Sequence, residues 1–565
     1  MEKQLNKIFE DALIALKIQH KKDSKFISIS NRPDLCDYQS NIAFGLAKEL
    51  QKSPTEIAQT ICNELKKNSF EFSDVSVAGN GFINMKLSDD FLASFVNELL
   101  QNSDTRVNKN AIPKTVIMDF GGYNIGKELH LGHLRSTIIA ESVARIYRIK
   151  GDHVISDVHL GDWGKPMGLI ITEIRERGLT NSGVELSDLQ TIYPTASERA
   201  KNDSEYNNRA LQATYDLQTG DADATKIWKQ FTTLSIESAK KIATILGANF
   251  DVWYGESNAD KTTKKMVDDL KKNGDAILDN GAYIIPLTPD DTNGKKLPPV
   301  IIEKTNGGIM YASTDMGTII DRISEWKPDE ILYFTDDRQS LHFEQVFAAV
   351  YKTKIADKNK LSLQHLPFGT VCGEDGKPLK SRDGDAVKLS DAINAAIEKG
   401  IAKMSEKNFN DDEKKSIGTS IGISCLKFAD LMNDRTQNYI FNLDKATASE
   451  GKTAAYILYS IVRINSILNK SENKNFATQK ITTASTLAER KLQLELIKIS
   501  SIIDAAYTTK KPHILCEYLF ELAQIFNTFY AHTEIINSHE NIATLTKQIM
   551  ELTCHLIGIT PVEKM

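Results

Sequence analysis

NIGKELHLGHLRST, residues Asn124 to Thr137, is the stretch whose reading decides the fold. It follows an apolar run, Val116-Ile117-Met118-Asp119-Phe120, that reads as a buried parallel strand. Beyond it, Leu134, Ile138, Ile139, Val143, Ile146 and Tyr147 recur at the spacing of an amphipathic helix. Between strand and helix stand Gly121, Gly122, Gly126 and Gly132, with the pair His130 and His133. A strand, a glycine-bearing turn and a helix N-terminus make a place to hold phosphate, because unpaired backbone N–H groups converge there. Two imidazoles at such a place can donate hydrogen bonds to oxygens that gain charge during a reaction.

Working outward, Val154–Leu160 reads as a second strand, ending in Gly161-Asp162-Trp163-Gly164. Strand, helix and strand form a βαβ unit, which implies a parallel sheet with ligands at the carboxyl ends of its strands. The sheet is expected to resume near Val300–Glu303. A helix through Met316, Ile319, Ile320 and Ile323 follows, then another strand at Ile331–Thr335. Residues from about 176 to 300 are more polar and helical, then turn-rich from Asn273, and read as an insertion. On the amino-terminal side, residues 1–108 read as a small α+β unit. It has helices at Leu5–Leu16, Ile42–Leu50 and Pro54–Leu65, and strands around a Gly79-Asn80-Gly81 turn. After Leu366 comes a glycine- and lysine-bearing loop, and from Lys388 onward nearly everything has helical spacing. The expected fold is α/β: a Rossmann-type parallel-sheet catalytic domain (109–390) with an N-terminal α+β domain. A helical connector (391–445) and a C-terminal all-α helical bundle (446–565) complete it.

At 565 residues the chain is too long for one core, and three or four domains are expected. With 41% hydrophobic and 25% charged residues it has the balance of an ordinary globular protein, and no apolar run is long enough to cross a bilayer. MEKQLNKIFEDAL has no apolar signal core, and six scattered cysteines never form a CxxC, so a reducing cytoplasm is the expected compartment. The net charge of -6 argues against non-specific DNA binding, yet a local basic surface leaves nucleic acid open as a partner.

His130 and His133 have two blander readings. Two histidines three apart are common on helix faces, and His153 and His159 lie close enough to be recruited with them to a metal. No cysteine or clustered carboxylates complete such a set, so no metal site is assigned. Nucleotide binding ranks above both.

His130-Leu131-Gly132-His133 resembles the HIGH motif of class I aminoacyl-tRNA synthetases. The wider string, followed by HLGDWGKPMG from His159 to Gly168, is similar to the arginyl-tRNA synthetase family. So are Asp37–Asn41, Ala78–Asn84 and the ending Ile557–Met565. The resemblance implies L-arginine, ATP with Mg²⁺, and tRNA(Arg) as partners of a cytoplasmic monomer. It implies His130, His133, Lys127, Ser381 and Arg382 as catalytic residues, and Gly121, His130, Gly132, His133 and Lys380 at ATP. The second motif, KMSK, falls on Leu379-Lys380-Ser381-Arg382 without its first lysine, and Lys127 is the implied replacement for that charge. Asp119, Asn124, Tyr311, Asp315 and Gln339 would line the arginine pocket. Tyr38, Gln39 and Asn41, with Tyr456, Tyr459 and Arg463, would meet tRNA.

The chemistry fits that pocket. A guanidinium is a planar cation with five donors, and carboxylates meet it through short, directional bonds. Tyr311 and Asp315, four apart, share a helix face. Taken alone, Asp315 reads equally as an acid offsetting a helix dipole, and Tyr311 as core. A site that demands a guanidinium discriminates by roughly 10⁴-fold or more, so no editing domain is expected. Ala446–Thr453 imitates a Walker A loop, but Asn442–Lys445 is a poor preceding strand. Two positions depart from the family pattern: Val158 for asparagine and Tyr123 for proline.

Overall fold

The computed structural model describes residues 1–20, 25–67, 70–182, 184–292, 294–305, 307–379, 387–471, 479–536 and 538–565. The N-terminal unit runs α1 (Glu2–Ala15), β1 (Ser28–Ile29), β2 (Tyr38–Ser40), α2 (Ile42–Leu50), α3 (Pro54–Lys67), β3 (Phe72–Ala78), β4 (Phe82–Leu87) and α4 (Asp89–Gln101). Its antiparallel sheet has the order β1-β2-β4-β3. The apolar stripes of the helices bury Leu5, Phe9, Ile57, Ile61, Leu92 and Val96. The β3–β4 turn needs its glycines. Gly81 has φ +131°, and a Cβ there would lie 2.7 Å from Pro54 at the start of α3.

The next unit is built on β5 (Thr115–Asp119), α5 (Leu131–Ile149), β6 (His153–Asp157) and α6 (Lys165–Glu176). Helices α7 (Leu179–Ser182), α8 (Leu186–Asn202), α9 (Ser204–Thr219), α10 (Ala222–Leu246) and α11 (Glu256–Asn273) follow. Then come β7 (Ile277–Asp279), β8 (Ala282–Ile285), β9 (Val300–Glu303), α12 (Tyr311–Trp326), β10 (Glu330–Tyr333), α13 (Ser340–Lys352), β11 (Ser362–His365) and β12 (Val371–Cys372). Four strands form a parallel sheet in the order β11-β10-β5-β6. The register sets Asp119 opposite Asp157 on one side and Tyr333 on the other, so three functional side chains end level.

The expected continuation of this sheet at Val300–Glu303 is overturned. That segment, β9, belongs to a separate antiparallel sheet, β7-β8-β9. The Asn280-Gly281 turn, with φ +45° and +81°, folds β7 onto β8 as a hairpin, and β8 offers β9 a local antiparallel partner. The fourth parallel strand is β11, whose short alternating sequence Ser-Leu-Gln-His suits an edge strand. The far end of the insertion also returns to the sheet. Val252 and Gly255 bridge in parallel to Asp157 and Leu160, which starts α11 at the carboxyl ends of the strands.

The remainder comprises α14 (Leu389–Met404), α15 (Asp411–Leu431), β13 (Tyr439–Ile440), α16 (Leu443–Ala446), α17 (Ala454–Lys470), α18 (Leu487–Leu496), α19 (Ile499–Thr509), α20 (His513–His532) and α21 (Glu540–Leu556). β13 pairs with β12. A helical turn, α16, precedes the Walker-like loop, and the Thr453 hydroxyl caps α17. The strand–loop–helix of a phosphate loop is therefore missing. One apolar cluster runs from Phe9 through Val143 on α5 to Phe526 in the helical bundle. The described cysteines are all free and buried, and no described helix is long and apolar enough to cross a membrane.

Candidate active site

His130 is the N-cap of α5, and its Nδ1 accepts the Gly132 N–H at 3.1 Å. His133 reciprocates: its Nδ1 accepts the His130 N–H at 3.0 Å. The two imidazoles thus fill the places that serine and glutamate take in an ordinary capping box. Because each Nδ1 accepts, these hydrogen bonds assign the proton of the neutral ring to Nε2, which makes each ring a donor. Burial, and then the neighbouring His130, push the His133 imidazole down to about 3. Burial and Arg338 lower His130. Both rings are therefore neutral near pH 7. A Cβ on Gly132 would sit 2.8 Å from the His130 ring, so the small residue between the histidines keeps that ring in place. Behind them the Tyr123 hydroxyl is 2.9 Å from Thr137 Oγ1, and its ring packs on His133. Gly121, at φ +89°, donates its N–H to Ser136.

A cavity of about 760 Å³ opens over this turn. It is lined by Gly121, His130, Gly132 and His133 at one end and by Asp119, Asn124, Tyr311, Asp315 and Gln339 at the other. Residues from β5, the signature turn, α12 and the start of α13 thus meet in one space, as the family resemblance implies. Asp119 is already engaged. Arg322, fully buried on α12, donates to Asp119 at 2.7 Å and to Asp157 at 2.6 Å. Burial works against the Arg322 charge, but the two carboxylates outweigh it and raise its pKa. Asp315 accepts from His342 at 2.5 Å; burial lowers that imidazole, and the Asp315 hydrogen bond and negative charge together more than restore it.

Three cavity residues escaped the sequence reading of the pocket. Glu256 opens α11, and burial, then Asp315 and Asp162, push its carboxyl up to about 8. His342 is the partner of Asp315. His159 stands at φ +38°, and both its ring nitrogens are buried without a hydrogen-bond partner among the described residues. A lone acid in a polar insertion carries no periodic or motif signal, so Glu256 could be found only in three dimensions.

Other expected residues lie elsewhere. Lys127 lines a neighbouring cavity, its ammonium 4.7 Å over the Tyr193 ring. Lys380, Ser381 and Arg382 fall outside the described residues. Tyr38 is buried, Gln39 donates to Asn84 at 2.8 Å, and Asn41 is exposed. Beside them the exposed rings of Phe44 and Phe82 meet edge-on at 4.9 Å. On the helical bundle, Arg463 lies 5.0 Å over each of the Tyr459 and Tyr530 rings, and Asn527 joins Arg463 to the Tyr456 hydroxyl. Val158, in place of the family's asparagine, is fully buried among apolar neighbours.

A parallel sheet with a cavity at its strand ends, bordered by the histidine-bearing turn on one side and by acids on the other, fits the class I aminoacyl-tRNA synthetases. Three family models match it in order: arginyl tRNA synthetase N terminal domain over residues 3–87, tRNA synthetases class I (R), catalytic domain, over 95–443, and DALR anticodon binding domain over 457–565. The chain belongs to the arginyl-tRNA synthetase family. An arginine–tRNA ligase of Alkaliphilus oremlandii is 38% identical, covering 100% of this chain and 99% of the relative. One from Francisella tularensis is 38% identical over 95% of each chain. Among solved structures, arginyl-tRNA synthetase from Plasmodium falciparum has 26% identity and a TM-score of 0.85, covering 100% of this chain and 99% of that one. The Thermus thermophilus arginyl-tRNA synthetase, at 21% identity and a TM-score of 0.82 over 100% of both chains, shares the fold.

Proposed function

We propose that the chain is an arginine–tRNA ligase. ATP, L-arginine and tRNA(Arg) give L-arginyl-tRNA(Arg), AMP and diphosphate through an arginyl-adenylate. The observation that carries this reading is the juxtaposition of neutral histidine donors with the Asp315–Glu256 acid pair in one cavity. In the first step the arginine carboxylate attacks the α-phosphorus in line and diphosphate leaves. In the second, a hydroxyl of the terminal tRNA ribose attacks the acyl carbon, its proton is lost and AMP leaves. Phosphoryl chemistry of this kind asks the protein chiefly for positioning and charge stabilisation.

His130 offers its Nε2–H to the phosphate oxygens. His133, held by the backbone of His130 and Gly122, exchanges the second contact for the same oxygens as charge builds. Neutral rings donate here without competing for the proton. Gly121 and Gly132 let the nucleotide approach the backbone. At the acid end the guanidinium meets Asp315 and Glu256, with Tyr311, Gln339 and Asn124 around it. Asp119 acts through Arg322, fixing the α12 face that carries Tyr311 and Asp315. His159, its ring nitrogens buried without a partner among the described residues, backs the cavity wall. Lys127 turns from Tyr193 to join Lys380, Ser381 and Arg382 on the departing diphosphate. Mg²⁺ would come with the triphosphate as part of the substrate and offset its charge.

For tRNA, Gln39, Asn41 and the exposed Phe44–Phe82 pair offer amides beside a stacking surface; the buried Tyr38 supports that strand from beneath. Tyr459, Arg463 and Tyr530 offer a cation–aromatic stack on the bundle, with Tyr456 holding Asn527 beneath it. The protein works as a monomer in the cytoplasm, a compartment that its free, buried cysteines support. Charging of total tRNA with each of the labelled amino acids tests the assignment. Arginine alone is expected to be attached, and attachment of another amino acid, or of none, rejects it.

A further inference from the structure

Asp315 meets the rest of the protein through one of its two oxygens. Oδ2 accepts from His342 Nε2 at 2.5 Å, while Oδ1 makes no hydrogen bond among the described residues. An ionised carboxylate only accepts, so the imidazole N–H is the donor. That donor is itself held in place. His342 stands on the first turn of α13, three residues after Gln339, and both line the reaction cavity. Its ring meets the Phe343 ring edge-on at 5.3 Å. Phe343 is buried in the apolar cluster that includes Ile331 and Tyr333 of β10, and it stacks on His365 at 4.8 Å. His365 in turn lies 2.8 Å from the Thr335 hydroxyl at the end of that strand. The Glu256 carboxyl, which feels the Asp315 charge, borders the same cavity from α11. Two acids on two helices thus share the space, and a third helix fixes the angle of one of them.

We propose that His342 is a positioning residue for the amino-acid substrate: by occupying Oδ2 it turns Asp315 so that Oδ1 meets the guanidinium. A guanidinium holds its five donors in one rigid plane, so an acceptor serves it only at the right angle. Without His342 the carboxylate would rotate about its last torsion and lose that freedom each time arginine bound, a cost that a prior hydrogen bond removes. The remaining N–H groups of the fork are left to Glu256. His342 acts through Asp315, so its effect falls on arginine binding rather than on the chemical step. The proposal rests on the ligase reading and deepens its acid end.

The test is steady-state arginine charging by the full-length chain with a series of donors at position 342. Glutamine carries its amide nitrogen about as far out as histidine Nε2, asparagine carries its own too close to the backbone, and alanine has none. His342→Ala and His342→Asn are expected to raise the KM for arginine about tenfold, with kcat and the KM for ATP within about twofold of the parent. His342→Gln is expected to keep the KM for arginine within about threefold. The His342 side chain is only partly buried, and the asparagine and glutamine variants differ by one methylene, so their comparison decides even where alanine lowers stability. Because the effect runs through Asp315, adding His342→Ala to Asp315→Ala is expected to raise the KM no further than Asp315→Ala alone. Glutamine as weak as alanine, an unchanged KM in the alanine variant, a kcat that falls with it, or an added loss in the double variant overturns the proposal. An Asp315→Ala variant with the parent KM overturns it together with the place of Asp315 in the pocket. Arginine charging by the parent protein is read separately, so failure of the series alone leaves the ligase reading intact.

Discussion

Glu256 holds a proton that a guanidinium bound as proposed would displace. Its carboxyl is pushed up to about 8 by burial and then by Asp315 and Asp162, so at pH 7 it is mostly neutral. A guanidinium favours the carboxylate, and binding therefore releases a proton. The KM for arginine is expected to fall by up to about tenfold per pH unit as pH rises from 7 to 8, and to level above 8. Glu256→Gln should flatten that profile and raise the KM at pH 8; initial rates across pH in parent and variant decide it. The same shift has a sign for stability. The folded state binds this proton more tightly than the unfolded one, so its contribution is complete below about pH 4.5 and lost as pH rises through about 8. His133 behaves differently. Its imidazole is already neutral above about pH 3, so it titrates nowhere in the working range. His133→Ala is expected to lower kcat by about 10²–10³ with nearly unchanged KM for arginine, as loss of a transition-state donor does. An unchanged kcat in steady-state aminoacylation would remove His133 from the chemistry.

Among the elements, α12 does most to hold the acid end. Tyr311 and Asp315 lie one turn apart near its N-terminus, and Arg322 sits further along, reaching the carboxyl ends of β5 and β6. That reach depends on the parallel register, which sets Asp119 beside Asp157 and leaves two buried carboxylates needing one cation. Arg322→Met would leave them facing each other unpaired. It is expected to destabilise the fold by about 3–5 kcal/mol, visible as a lower denaturant midpoint. A loss below about 1 kcal/mol would mean that the two carboxylates share a proton instead. The helix α5 shows the opposite economy, because its two capping groups are also the groups assigned to the phosphate, and one turn of chain serves both purposes.

In the whole molecule, the N-terminal unit and the helical bundle are held together as one surface. Arg490 on α18 donates to Asp37 at 3.1 and 2.9 Å, to Asp89 at 2.8 Å and to the Leu87 carbonyl. Asn97 bonds Ile481 in both directions, and Arg106 donates to Gln548 at 2.6 Å. The two surfaces proposed to meet tRNA, held in fixed relation, would bind it more tightly than either alone, because the second contact becomes intramolecular. Arg490→Ala is therefore expected to weaken tRNA binding by about tenfold while the KM values for ATP and arginine stay the same. Parallel binding and pyrophosphate-exchange measurements check this, and a change in the KM for arginine would place the effect in the catalytic unit instead.

The sequence by itself determined what is local. Residues 116–149 specify strand, glycine turn and helix through their own periodicity, and His130, Gly132 and His133 close their capping box within four residues. The ordered family motifs extend that reading along the chain. Only the tertiary structure decided what depends on distant partners. It brought Glu256 from the polar insertion into the cavity, gave Asp119 to Arg322 and Asp315 to His342, and turned Val300–Glu303 into a second sheet through its hairpin neighbour. The two pairings follow from strand register and from the demand that buried charges find partners, and the second sheet from the β7–β8 hairpin beside it. Neither leaves a periodic trace in the chain, because the residues that satisfy a charge can lie anywhere along it.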